Sequence, residues 1–205
     1  MGKLETNKQQ KLTSLLNTAF NLFTTQGVAK TSIAEISQKA GIAKGTFYLY
    51  FKDKYDIRNR LLSHESSKLF KNAVADLEEF SKEKNEQLGF EEKIIFIINH
   101  IVDELNSNQT LLTFISKNLS WGIFKEALTT KVASDDINFK DVYYEMINAE
   151  DISLEEPEIM LFLIVELVSS TCYSAILYKE PADIDTIKPY LFKTVRAIIK
   201  EHTIR

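Results

Sequence analysis

Apolar residues recur along this chain at helical spacing from end to end. Between Lys8 and Gln26, Leu12, Leu15, Leu16, Ala19, Phe20 and Phe23 form one stripe, and Gly27 closes it. The segment Thr31–Lys54 reads as two short helices joined by a tight turn. Thr31 or Ser32 serves as N-cap of the first, Ser32 and Glu35 have capping-box spacing, and Ile33, Ile36 and Ala40 share a face. Gly41 supplies the positive φ of a sharp helix exit, and Ile42 fills the turn. The second helix, Lys44–Tyr50, turns Phe47 and Phe51 inward. Leu16, Phe20, Phe23, Ile33, Ile36, Ile42, Phe47 and Phe51 then make the core of a three-helix head.

Beyond the head the pattern predicts a long helix from Lys54 to about Glu83, capped by Asp53, and another over Gly89–Asn106. Shorter helices follow over Thr110–Lys117, Ser120–Ser134 and Asn138–Asp151. Ser153 and Glu156 have the spacing of a second capping box, ahead of an apolar helix Pro157–Lys179. A last helix runs over Asp185–His202 with Ile187, Leu191, Val195, Ile198 and Ile199 on its apolar face. Strand alternation and internal repeats are absent from the pattern, so the expected class is all-α.

The second helix of the head leaves Lys44, Gly45, Thr46 and Tyr48 on the outside. Such a surface stabilises a short helix poorly but suits DNA. Lysine meets phosphate or guanine, glycine lets the backbone approach, and threonine or tyrosine can touch a thymine methyl. Lys52 and Lys54 flank Asp53 at a helix start, an arrangement that favours anions. The segment resembles the helix-turn-helix of the tetracycline-repressor-like (TetR) family. Thr31, Ile33, Glu35, Ile36, Ala40, Gly41, Ile42, Gly45, Thr46, Phe47, Tyr48, Tyr50, Phe51 and Lys54 match its pattern, over the N-terminal quarter of the chain. Ala43 departs from it, standing where the family has a serine N-cap, which costs about 1 kcal/mol of helix stability.

The resemblance implies a homodimeric, ligand-responsive transcriptional repressor in which the last two helices pack against their symmetry mates and two heads bind a palindromic operator on double-stranded DNA. The expected DNA-binding residues are Thr31, Ser32, Lys44, Gly45, Thr46, Tyr48, Tyr50, Lys52 and Lys54, in a head spanning residues 1–54. A body spanning residues 55–205 is expected to serve ligand binding and dimerisation. A scaffold of the same kind that controls a protein partner is the alternative reading.

Charge sharpens this picture. The 205-residue chain has a net charge of −4, which alone argues against nucleic acid. Residues 1–54 nevertheless hold eight lysines against three acids, net +5, leaving −9 on the remainder, so only one end is offered to DNA. Cys172 is the only cysteine, so no intrachain disulfide forms, and a reducing cytoplasmic setting is expected. Ile159–Tyr178 has the length of a membrane span, but Glu166 and a Ser-Ser-Thr cluster favour a bundle core or dimer interface, with no membrane partner. His64, His100 and His202 lack metal-ligand spacing, and neither a nucleophile elbow nor a phosphate-binding glycine loop occurs. Enzymatic chemistry, cofactors and metals are therefore not expected.

The middle helices are rich in aromatic residues, which can enclose a cavity for a small apolar or aromatic effector. Its expected contacts are Phe96, His100, Phe114, Asn118, Trp121, Phe124, Tyr143, Phe162, Glu166 and Tyr173. Cationic character is expected of the ligand if the Glu166 carboxylate faces that cavity.

Overall fold

The computed structural model describes residues 3–85, 87–118, 139–150 and 152–204. Helix α1 (Lys3–Gln26) ends at Gly27, whose φ of 83° no Cβ-bearing residue adopts without strain. Helix α2 (Ile33–Lys39) starts from Ser32, whose Oγ accepts the Glu35 backbone N–H at 3.1 Å. After the turn at Gly41, α3 covers only Lys44–Phe47, and Ala43 contributes no side-chain cap, as its methyl group dictates. The chain continues through turns at residues 48–50, so this helix is shorter than the periodicity predicted.

The body begins with α4 (Lys54–Lys84), capped by Asp53, whose Oδ1 accepts from the amides of Tyr55 (2.7 Å) and Asp56 (2.9 Å). Then come α5 (Phe90–Ser107), α6 (Gln109–Asn118), α7 (Phe139–Asn148), α8 (Pro157–Leu177) and α9 (Ile184–His202). The expected helix over Ser120–Ser134, with Trp121 and Phe124, lies outside the described residues.

Head and body are not separate cores. Leu15, Leu16, Ala19, Phe23, Ile36, Phe47 and Phe51 join α4, α5, α6, α8 and α9 in one buried cluster. Phe20 and Phe114 meet edge to face at 5.5 Å, so α1 of the head lies directly on α6 of the body. Helix α9 is tied to α5 by ion pairs of Lys188 with Asp103 and Arg196 with Glu91. The start of α5 is held by Glu150, which accepts from the Phe90 amide and from Lys93 Nζ, both at 2.5 Å.

Two expectations are corrected here. Ser153 and Glu156 form no capping box: Glu156 is itself the N-cap of α8, in the left-handed region at φ 47° with no side-chain cap bond. The preceding residues pair instead with the chain's last turn, through Glu155 N–H to His202 O at 2.7 Å and Ile204 N–H to Ser153 O at 2.9 Å. The apolar face of α9 is also not free for a partner. Leu191, Val195 and Ile199 are buried within the protomer, mainly against α8, and Ile198 is half-buried. Within α8 and α9 the large apolar side chains left outside are Ile159, Leu163 and Tyr190, 50%, 42% and 70% exposed.

Burial pushes the Cys172 thiol up to about 12, slightly offset by Lys188. The folded thiol therefore holds its proton where the unfolded chain would lose it. Its contribution to stability is fully present below the ordinary thiol range and is lost as pH rises toward about 12. We expect native protein at pH 8 to react with a thiol reagent only at its opening rate, and denatured protein to react at once. In the same core, Tyr143 donates to Pro157 O at 3.0 Å. Tyr143→Phe should lower unfolding free energy by about 1–2 kcal/mol in a denaturant titration.

Candidate functional site

In the head, the burial of Phe47 and Phe51 fixes which side chains face outward. Lys44, Gly45, Tyr48 and Lys52 are exposed, Tyr48 by 51%, and Thr46 is half-buried beside them. A Cβ built on Gly45 meets nothing within 4 Å, and its backbone is not left-handed. The protein's own packing thus does not require glycine there, and the space it leaves lies on the outside. Ser32 is exposed at the start of α2. An open groove runs between α2, α3 and the start of α4, lined by Lys30, Ser32, Lys44 and Tyr48 among others. Leu49 was missed by the sequence reading and is the most exposed large apolar side chain among the described residues, at 82%. Its signal was present, since it stands midway between the two buried phenylalanines.

Three expected DNA contacts are engaged within the protein, and two of these, Thr31 and Lys54, also line this groove. Thr31 is 2% exposed, and its hydroxyl donates to Gly27 O at 2.8 Å, so Ser32 alone is the cap. Tyr50 is half-buried with its hydroxyl 3.4 Å from Lys8 O on α1, and it rests against the core. Lys54 Nζ donates to the carbonyls of Val28 (3.0 Å), Ala29 (3.0 Å) and Thr31 (3.3 Å). These bonds occupy the donors of the ammonium group, so this lysine fastens the α1–α2 loop to α4. Nor is the start of α4 an open anion site. Asp53 occupies its first amides, and Asp56 accepts from the Lys52 amide at 2.7 Å and from Arg60 at 3.0 Å.

In the α2 helix, Glu35 accepts from Gln26 Nε2 at 2.8 Å and pairs with Lys39 at 3.2 Å. These contacts, the Gln26 bond foremost, hold its carboxyl below the usual range.

The body contains a cavity of about 160 Å³ between α4, α5, α6, α7 and α8. Of the expected ligand contacts, Tyr143 lines it. Phe96 and His100 line a separate shallow cleft, where His100 sits between Asp76 (2.9 Å) and Glu104 (3.4 Å). Phe114 is buried toward the head, and Asn118 spends an amide proton on Phe114 O at 2.7 Å. Phe162 is half-buried outside the cavity lining. Tyr173 pairs with Tyr178 through their hydroxyls at 3.0 Å. Glu166 is exposed on the outer face of α8, so its carboxylate stays in water and asks for no cation in the cavity. Trp121 and Phe124 lie outside the described residues. The structure thus spreads the expected set over several faces, and aliphatic residues of α5, α6 and α8 supply most of the lining.

Residues 15–61 match the family model described as bacterial regulatory proteins, tetR family. The HTH-type transcriptional regulator AcrR of Shigella flexneri is 40% identical over 55 residues, 27% of this chain and 26% of that protein. The fatty acid metabolism regulator protein of Bacillus subtilis (strain 168) is 29% identical over 72 residues, 35% of this chain and 37% of that protein. The chain thus matches only about a quarter to a third of the length of these curated relatives. Over nearly the whole chain, the crystal structure of transcriptional regulator FadR from Bacillus subtilis in complex with stearoyl-CoA shares the fold. Its TM-score is 0.62 at 18% identity, covering 91% of this chain and 98% of that one. Residues 15–61 are thus similar to the tetR family of bacterial regulatory proteins, and nearly the whole chain shares the helical fold of a solved transcriptional regulator. Members of this family are DNA-binding regulators, not enzymes.

The contrast between Lys44 and Lys54 is testable on the salt dependence of DNA binding. Lys44→Ala should shallow the slope of log K against log salt by about one unit, as loss of a phosphate contact does. Lys54→Met should weaken binding and lower the thermal midpoint while leaving the slope unchanged. A slope change for Lys54→Met equal to that for Lys44→Ala would return this lysine to the phosphate-contact role.

Proposed function

We propose that the chain is a cytoplasmic, ligand-responsive transcriptional repressor. In this reading it acts as a homodimer whose heads, residues 1–54, bind a palindromic operator and let it go when a small apolar effector enters the body, residues 55–205. The observation that carries the reading is the outward surface of Lys44, Gly45, Tyr48 and Lys52 behind which Phe47 and Phe51 are buried. Cations there meet phosphates, and tyrosine with Leu49 offers apolar contact to base edges.

The cavity supports the ligand response. Two of its walls continue into the head: α4 carries Lys54, and α6 carries Phe114 against Phe20. A molecule that shifts either wall acts on the head without an intermediary, and the coupling must then be reciprocal. FadR of Bacillus subtilis, whose fold is shared, was solved with an acyl-CoA bound.

The outer face of α8 and α9 supports the dimer. Ile159, Leu163, Glu166 and Ser170 follow one another at helical spacing on the exposed side of α8. A groove beside them holds Ser170, Thr171, Ser174 and Ala175 opposite Tyr190 of α9. Small residues facing an exposed aromatic ring suit a self-complementary contact, in which each side chain enters twice. Helix α8 is also long and apolar enough to cross a membrane, but it packs on α5, α6 and α9, and that packing accounts for its inner face.

Selection of DNA from a random pool by the full chain tests the reading. The expected product is a palindrome with half-sites about 34–36 Å apart or a little more. No enrichment, with Tyr48→Ala indistinguishable from the parent, would overturn it. For assembly, Leu163→Glu and Tyr190→Glu should sediment as folded monomers whose operator affinity falls about a hundredfold through lost avidity. Leu191→Glu should instead lower the thermal midpoint, because its side chain is already inside the protomer.

A further inference from the structure

The chemistry of the body cavity specifies its occupant more narrowly than "apolar". Its volume of about 160 Å³ is close to the roughly 150 Å³ of an apolar cavity that accepts benzene, a scale of about six to ten non-hydrogen atoms. Aliphatic side chains, among them Ile98, Ile101, Leu112 and Ile164, form most of its wall. Among the described lining residues none is ionisable at neutral pH. A charged group placed there would leave water without gaining a counter-charge.

The polar groups of the wall are hydroxyls. That of Tyr143 is already engaged with Pro157 O, and burial keeps it protonated well above its ordinary range. Ser116 differs: its Oγ is buried and has no hydrogen-bond partner among the described residues. A buried hydroxyl without a partner is costly, and a ligand that pairs with it removes that cost on binding.

We propose that this cavity is the effector site and that its occupant is an uncharged, mainly aliphatic molecule bearing one hydroxyl or carbonyl, which hydrogen-bonds to Ser116 Oγ. The proposal rests on the ligand-responsive reading for its biological meaning but not for its chemistry. It also replaces the cationic character that an inward-facing Glu166 would have implied.

Calorimetric titration of the full chain with octan-1-ol, octanoate and octyltrimethylammonium tests it, since the three share a chain and differ in charge. Octan-1-ol should bind at least about a hundredfold more tightly than either ion. Ser116→Ala should weaken octan-1-ol about tenfold, the scale of one buried hydrogen bond, while leaving the thermal midpoint of the free protein unchanged or raised. Val168→Phe, which fills the cavity from α8, should abolish octan-1-ol binding and serves as a second variant if Ser116→Ala disturbs the fold. Equal binding of all three compounds, or octan-1-ol binding indifferent to both variants, would overturn the proposal. A parallel operator titration separates the two levels. If octan-1-ol binds as described yet leaves operator affinity unmoved, the cavity assignment stands and the ligand-responsive reading falls. Operator release that neither variant affects would place the effector elsewhere and overturn the assignment.

Discussion

One ammonium group ties the helix-turn-helix to the long helix that follows it. Lys54 is the first residue of the 31-residue helix α4, and its Nζ donates to three carbonyls of the loop that leads from α1 into α2. Those carbonyls belong to the turn after Gly27, in which Val28 O also accepts the Thr31 amide at 3.3 Å. A charged donor meeting three of them is a strong contact on the scale of protein hydrogen bonds. The buried Thr31 hydroxyl adds a fourth bond within the same turn, onto Gly27 O. The helix-turn-helix is therefore fastened to α4 at that helix's own first residue.

A second fastening lies on the other side of the head. Phe20 of α1 meets Phe114 of α6, and the buried cluster runs unbroken from Leu15 to Ile199. Two of the helices that border the cavity, α4 and α6, are thus the helices that hold the head. In the proposed ligand response, binding energy in the cavity would reach the outward surface of the head only by differing between two arrangements of those helices. A neutral occupant suits this economy, because it perturbs packing without having to bring an uncompensated charge into the wall.

The sequence made the helical order legible, because period and punctuation are local properties. Ser32 and Asp53 announced their helices by chemistry alone, and the outward surface of Lys44, Gly45 and Tyr48 followed from two phenylalanines four residues apart. What stayed illegible depends on contacts distant in the chain. Lys54 looked like a phosphate ligand because its three acceptors sit some 25 residues earlier. The pairing of Glu155 with His202 displaced the capping box that Ser153 and Glu156 suggested. Glu166 could not be assigned a side, since α8 is apolar almost all round and shows no stripe from which to read an inner face. Leu191 and Val195 read equally well as protomer core and as partner surface, and only the packing of α9 decides for the core.

Native-state amide hydrogen exchange in the parent and in Lys54→Met bears most directly on the claim that this lysine holds the head to α4. With the bond gone, amides of residues 27–40 should lose protection together, while those of α5, α8 and α9 keep theirs, because the opening is local. Unchanged protection across the loop and α2 would mean that the three carbonyl contacts carry no stability. The head would then be held to α4 by its apolar core alone.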